Sequence, residues 1–289
     1  MSSHGKSSRQ VKVADTAPQA RHATKKPTLG TGAFLSPDVE VEEHVTIGPH
    51  AVVLANMTPG GPRTLLRAES EVGANATVLP GVTLGIRSKV LPGSVVTRSV
   101  PPMAIVEGNP AHIVGFRESG GEQRLRLVRP DSGQPAVRSS SVQGVTLHDF
   151  RMVPDPRGNL SVGEFEREIP FKPKRYFVIF DVPNMETRGE HAHLRCEQFL
   201  VAVKGSVHVV ADDGEKREEF VLNQPNVGIY LPTLVWGVQY QYTPDAVLMV
   251  FASHYYDPKD YIRDYAEFLT IVRRERAGFS ADAGKRSAA

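Results

Sequence analysis

The chain has 289 residues, 40% of them hydrophobic and 23% charged, a globular composition with length for one or two domains. No apolar run reaches the roughly eighteen residues a membrane helix needs, and MSSHGKSSRQ lacks the apolar stretch of a secretory signal. Cys196 is the only cysteine, which excludes an internal disulfide framework, and these features together predict a cytoplasmic protein without membrane insertion. The net charge of +2 is uneven, because Lys6, Arg9, Lys12, Arg21, Lys25 and Lys26 face Asp15 alone at the N-terminus. That stretch has no interleaved aromatics and no amphipathic period, so residues 1–32 read as a disordered basic tail and no nucleic-acid partner is expected.

From Val72 the text runs VGANAT, VLPGVT, LGIRSK, VLPGSV, VTRSVP, with an aliphatic residue at 72, 78, 84, 90 and 96. The same register holds upstream in LSPDVE, VEEHVT and IGPHAV, starting at 35, 41 and 47. A six-residue period suits neither a helix nor a flat sheet. It suits a triangular solenoid in which three hexapeptides make one coil and the aliphatic residue points inward, with glycines near the corners. About eight hexapeptides are counted, fewer than three coils, interrupted by NMTPGGPRTLLRAE at 56–69. His44 and His50 are available bases on the repeat, with a structural role as the simpler reading.

Residues 33–117, including the closing phrase VPPMAIVEGNPAHIVGFR, resemble the hexapeptide-repeat, left-handed β-helix acyltransferases. The resemblance implies a trimer-forming stem. It also implies an acyl-CoA-binding loop at Gly108, Asn109, Pro110 and Ala111, with acetyl-CoA as co-substrate if this part is active.

Residues 118–143 are rich in Gly, Ser, Pro and charge and read as a linker, with one short strand near 124–128. From Gly144 the pattern changes to nine or so short strands, with Asp213-Gly214 as a hairpin signal, which predicts a β-barrel or jelly roll. One helix follows, capped by Asp257, with Pro258 first and an apolar stripe of Tyr261, Ile262, Tyr265, Phe268, Leu269 and Val272. Residues 274–289 read as a frayed tail. The predicted fold class is all-β in two domains, a short left-handed parallel β-helix at 33–117 followed by a cupin jelly roll with a C-terminal helix at 144–273.

RGEHAHLRCEQ, 188–198, carries the chemistry. On a strand, His191 and His193 point to one face. Two readings stay open at this point. With Glu197 they form a His-x-His…Glu metal motif, but no histidine stands in GIYLPTLVWGVQY to complete it. As a pair of imidazoles titrating near neutrality, they can instead move a proton between two adjacent carbons of a substrate without a metal.

The stretches 175–214 and 227–269 contain RG-x-HAH, the Gln198 phrase, the DDG turn, Pro-x-x-x-Trp and YYD-x-x-DYIR. They resemble the dTDP-sugar 3,4-ketoisomerase cupins, the WxcM-like group. The resemblance implies cofactor-free isomerisation of dTDP-4-keto-6-deoxyglucose, as used in surface polysaccharides such as lipopolysaccharide O-antigen. It also implies His191 and His193 as catalytic residues and Arg188, Tyr176, Gln198, Trp236 and Tyr240 around the substrate, with no metal. Gly237 departs from relatives that carry His or Arg after the tryptophan. The dTDP-linked keto sugar is the expected partner, and a homo-oligomer, trimer or hexamer, is expected. The alternatives are a bifunctional isomerase and N-acetyltransferase, or a non-catalytic scaffold that binds sugar nucleotides.

Overall fold

The structure is a computed structural model that describes residues 26–117, 126–127, 135–183 and 186–286. The basic tail through Lys25, most of the 118–134 stretch and the last three residues lie outside the described residues.

The hexapeptide period becomes eleven two-residue strands, from Thr28–Leu29 to Val95–Val96. They stack in three parallel ladders. One runs through Thr28–Leu29, Thr46–Ile47, Glu71–Val72 and Lys89–Val90, the second through Phe34–Leu35, Val52–Val53, Thr77–Val78 and Val95–Val96, and the third through Glu40–Val41, Leu65–Leu66 and Thr83–Leu84. Ile47, Val53, Leu66, Val72, Val78, Leu84, Val90 and Val96 form a buried column inside them. The stack is tight enough that a Cβ on Gly73 would lie 2.6 Å from the Pro92 nitrogen of the next coil. Eleven strands exceed the eight hexapeptides counted from sequence. The stack starts at Thr28, inside the stretch read as tail, and closes over the 56–69 interruption, since Leu65–Leu66 pairs on both sides. His44 and His50 sit at corners with left-handed backbone, φ 58° and 56°. Their position is set by the turn of the coil.

The first ladder ends on Ala104–Gly108, which folds back as an antiparallel hairpin on Ala111–Phe116; Asn109 and Pro110 form its tip. The remaining strands form two six-stranded sheets and one two-stranded hairpin, Arg151–Val153 with Leu160–Val162. The first orders Arg126–Leu127, Arg217–Leu222, Val207–Asp212, Trp236–Tyr240, Arg188–His193 and Tyr261–Ile262. The second orders Ala136–Ser139, Thr146–Asp149, Val227–Leu231, Gln198–Lys204, Val247–Ala252 and Arg175–Phe180. Leu147, Leu200, Val209, Phe220, Ile229 and Leu248 fill the space between them. Asp213 makes the predicted hairpin, its Oδ1 accepting from the N–H groups of Glu215 and Lys216.

Three local expectations differ from the structure. Ala136–Ser139, inside the stretch read as linker, is a strand of the second sheet. The helix begins at Tyr265, because Pro258–Asp260 forms a 3₁₀ turn capped by Asp257 and Tyr261–Ile262 joins the first sheet beside Ala192–His193. The helix then continues to Arg286, through most of the stretch read as a frayed tail. No helix among the described residues is long and apolar enough to cross a membrane.

The solenoid and barrel segments share one apolar cluster. Val96, Val100 and Phe116 belong to the same buried group as Trp236, Tyr240, Tyr265 and Phe268. The Phe116 and Tyr240 rings meet edge-on at 5.3 Å, and Arg217 donates to the Arg117 carbonyl at 2.7 Å. Leu84 is fully buried in this cluster, so Leu84→Ala is expected to cost about 2–5 kcal/mol, read as a lower denaturation midpoint with Trp236, the only tryptophan, as the fluorescent probe.

Candidate active site

Strand alternation builds a cavity of about 320 Å³ inside the barrel segment. Arg175, Phe177 and Ile179 enter it from one strand, Gln198 and Leu200 from another, Gln239 and Val250 from two more, and Tyr256 and Tyr261 from the segment before the helix. Arg188 and His191 reach it from the strand that carries the histidines. Three residues apart, they would face opposite ways on a regular strand. A bulge at Gly189-Glu190, with φ 83° and 54°, resets the register so that Arg188 pairs with Gln239 and His191 with Gly237. A side chain at position 189 is barred, since its Cβ would lie 2.6 Å from the Gly237 carbonyl oxygen.

The two imidazoles meet. His191 Nε2 lies 3.2 Å from His193 Nε2, with ring centroids 4.8 Å apart. His191 Nδ1 lies 2.9 Å from the Gly189 carbonyl oxygen, which only accepts, so Nδ1 carries the proton. His193 Nδ1 lies 2.9 Å from Asp260 Oδ2, and the Gln198 amide nitrogen lies 3.1 Å from His193 Nε2. Asp260 is buried, and it also accepts from the backbone N–H groups of Arg195 at 2.8 Å and Cys196 at 3.2 Å. His191 borders the cavity, whereas His193 lies behind it, buried among Asp260, Gln198 and the Tyr261 ring at 4.4 Å.

Burial lowers the pKa of both histidines. For His191 the Gly189 carbonyl opposes the shift and Arg263 adds to it. For His193, burial and the neighbouring His191 outweigh Asp260 and push it down to about 4. Both rings therefore rest neutral near pH 7, with their Nε2 lone pairs available. The residues lining the cavity include two arginines and no carboxylate, so it favours an anionic ligand. The Arg175 guanidinium is held by the His254 carbonyl at 3.1 Å and lies 5.7 Å from the centre of the Tyr256 ring.

The seven barrel residues singled out from sequence fall into two groups by placement. His191, Arg188 and Gln198 are on the cavity and His193 is one layer behind. Tyr176 alternates out of phase with Arg175 and Phe177 and is 67% exposed on the outer face. Trp236 and Tyr240 share a strand with Gly237 and Gln239 but point the other way. Trp236 packs on Tyr265 and Phe268, and the Tyr240 hydroxyl donates to Glu219. These three lie off the cavity, contrary to the expectation, for one cause, the two-residue period of a strand. Gly108, Asn109, Pro110 and Ala111 form the hairpin at the end of the solenoid.

Asp260, Arg175, Gln239 and Tyr256 were not singled out from sequence, and Tyr261 was assigned only to the apolar stripe of the helix. Counting by two from Gly237 finds Gln239. Asp260 stood in the YYD-x-x-DYIR phrase with no pattern to assign it to a histidine 67 residues away. His191, His193 and Glu197 do not come together as a ligand group among the described residues, and Glu197 accepts from the Tyr230 hydroxyl. Among the described residues the three ligand-type side chains close enough to share an ion are His193, Cys196 and Asp260, and both Asp260 oxygens are already hydrogen-bonded.

The model of the family "FdtA: WxcM-like, C-terminal" matches residues 143–273. The TDP-4-oxo-6-deoxy-alpha-D-glucose-3,4-oxoisomerase of Aneurinibacillus thermoaerophilus is 44% identical over 126 residues, which are 44% of this chain and 91% of that protein. The chain belongs to the FdtA/WxcM-like family. Among solved structures, the sugar 3,4-ketoisomerase QdtA from Thermoanaerobacterium thermosaccharolyticum, in complex with TDP, is 35% identical and aligns over 46% of this chain and 97% of its own, with a TM-score of 0.45. The N-terminal region has acetyltransferase relatives. The dTDP-3-amino-3,6-dideoxy-alpha-D-galactopyranose 3-N-acetyltransferase of Aneurinibacillus thermoaerophilus is 41% identical over 54 residues, which are 19% of this chain and 28% of that protein.

The depressed His193 gives a pH signature. The unfolded chain's histidine titrates near 6.5 and the folded one near 4, so between these values the unfolded state binds more protons. The stability contribution is full above about pH 6.5 and is lost as pH falls toward 4. Urea unfolding at pH 7 and pH 5 is expected to show a loss on acidification that His193→Gln reduces.

Proposed function

We propose that this protein is a nucleotide-sugar 3,4-ketoisomerase acting on dTDP-4-keto-6-deoxyglucose in deoxyamino-sugar biosynthesis. The observation that carries the reading is the His191 imidazole, its Nδ1 held by the Gly189 carbonyl, on the wall of a cavity that also presents Arg175 and Arg188. The reaction needs a base beside the carbonyl carbon, donors for the enediolate and a cradle for a pyrophosphate. His191 removes the proton from the third ring carbon, and the electron pair becomes a double bond to the fourth carbon as its carbonyl becomes an enolate. Gln198 and Gln239 supply donors to the developing oxygen charge, while Arg175 and Arg188 hold the diphosphate. His193 acts with His191. No cofactor is needed, because hydrogen moves within one substrate and nothing is oxidised overall.

For the rest of the chain we propose the division in which the hexapeptide segment is one unit, from Thr28 to Arg117, and the barrel segment with its helix is the other. The relatives of the N-terminal region favour a second reading for that unit, N-acetylation of an amino sugar by acetyl-CoA at the Gly108–Ala111 hairpin. Acetyl-CoA consumption with a 3-amino-3,6-dideoxy sugar nucleotide tests it; no turnover leaves that segment as a stem for a homo-oligomer.

Incubation with dTDP-4-keto-6-deoxyglucose is expected to give the 3-keto sugar, and His191→Asn to lower kcat by about a hundredfold or more, the scale of a lost general base. Tight binding without any isomerisation by the wild type would leave the scaffold reading. Because the base must be neutral and burial holds His191 below its usual 6.5, kcat/KM is expected to stay level down to pH 6.5 and to fall only below it.

A further inference from the structure

The crevice between the solenoid and barrel segments, about 210 Å³, is a second cavity with a chemistry of its own. The solenoid gives it Ile86, Ser99, Pro101 and Pro102, and the barrel segment gives it Glu190, Trp236, Arg263 and Asp264, so neither segment closes it alone. Several polar groups on its wall lack a full set of partners. The Arg263 guanidinium lies over the Tyr261 ring at 4.4 Å and meets no carboxylate among the described residues. Glu190 accepts one hydrogen bond, from the Thr187 hydroxyl, and pairs with no cation among the described residues. Trp236 is 4% exposed, and its indole N–H, a donor only, finds no acceptor among the described residues. The Ser99 oxygen accepts from the Thr83 N–H at 3.0 Å, which leaves its own hydrogen to give. Arg67 and Asp264, by contrast, are engaged. They meet at 3.5 Å, the arginine also pairs with Glu42 at 2.8 Å, and the aspartate accepts from the Glu267 N–H at 2.9 Å.

A nearly buried donor without an acceptor is costly, and a ligand that accepts from it recovers that cost. The two arginines and two carboxylates of the wall cancel in formal charge, whereas the barrel cavity has two arginines and no carboxylate. The crevice therefore favours a neutral ligand where the barrel cavity favours an anion. That ligand must accept from Arg263 and Trp236 and give to Glu190, and hydroxyl groups do both. Ile86, Pro101 and Pro102 add an apolar strip suited to the C–H face of a ring. The volume is below the roughly 300 Å³ at which pockets for drug-sized molecules begin, so it holds one ring and not a nucleotide sugar. We propose that the crevice is a binding site for a single neutral pyranose, separate from the barrel cavity.

Trp236 is the only tryptophan of the chain and stands on this wall, so its fluorescence reports on the crevice. The full chain is titrated with methyl α-D-glucopyranoside, methyl α-D-galactopyranoside and N-acetylglucosamine, and with glycine and inorganic phosphate as charged comparisons. A saturable change with at least one sugar is expected, with half-saturation on the order of millimolar for a ligand this small. No saturation by any of the sugars at about 100 mM overturns the proposal, as does tighter binding of glycine or phosphate than of every sugar. Ser99→Leu puts an apolar side chain into the crevice and is expected to raise the half-saturation about tenfold or more. Arg188→Gln, on the barrel cavity, is expected to leave it within about twofold. A sugar response that survives Ser99→Leu, or that is lost in Arg188→Gln, lies elsewhere and overturns the crevice as the site. Arg263→Met removes donors at an exposed position, is expected to give the same loss, and stands in where the leucine variant does not fold; unchanged affinity in it overturns the proposal. None of these readings involves turnover, so they hold or fail independently of the ketoisomerase reading.

Discussion

A buried carboxylate sets the chemistry of the site. Asp260 lies in a 3₁₀ turn capped by Asp257, and its two oxygens take the Arg195 and Cys196 backbone N–H groups and the His193 ring. Left without partners, a carboxylate at this depth would cost several kcal/mol. With them, it ties the turn after the strand Arg188–His193 to the segment leading into the C-terminal helix. It also decides which nitrogen of His193 carries a proton, and through that ring it constrains His191.

The cavity depends on a second constraint, the bulge at Gly189-Glu190. A regular strand would send Arg188 away from His191, and the bulge brings guanidinium and imidazole to one surface. Elsewhere plain alternation is enough. Arg175, Phe177 and Ile179 face in and Tyr176 faces out; Gly237 and Gln239 face in and Trp236 and Tyr240 face the helix and the solenoid exit. Gly237, directly across from His191, adds no side chain there, although a Cβ would make only ordinary contacts with Leu231 at 3.4 Å and Gln239 at 3.5 Å.

The solenoid meets the barrel through shared apolar packing around Phe116, Trp236 and Phe268, and through polar contacts such as Arg67 with Asp264 and Arg98 with Glu186. A crevice of about 210 Å³ runs between the two segments, with Glu190 of the bulge and Trp236 in its lining. Burial raises the pKa of Glu190, against the opposing hydrogen bond from Thr187. The strand that offers His191 to the cavity thus borders the solenoid on its other side.

Periodicity was legible in the sequence because it is local. The six-residue repeat named the inner column of the solenoid, the two-residue repeat put His191 and His193 on one side of a strand, and Asp213-Gly214 marked its hairpin. The number of coils was undercounted, since Thr28–Leu29 lies in a stretch whose composition resembles a tail and Leu65–Leu66 follows an insertion. Tyr176, Trp236 and Tyr240 were placed at the site by resemblance, and the phase of each strand relative to the cavity decided otherwise. Asp260 could not be assigned from sequence, because a carboxylate 67 residues from His193 becomes its partner only when Tyr261–Ile262 pairs beside that strand. The sequence by itself determined the repeat, the barrel strands and the histidine pair, all written in spacings of two or six. Only the tertiary structure decided which histidine meets the cavity and which lies behind it, because depth and hydrogen-bond partners come from strands distant in the chain.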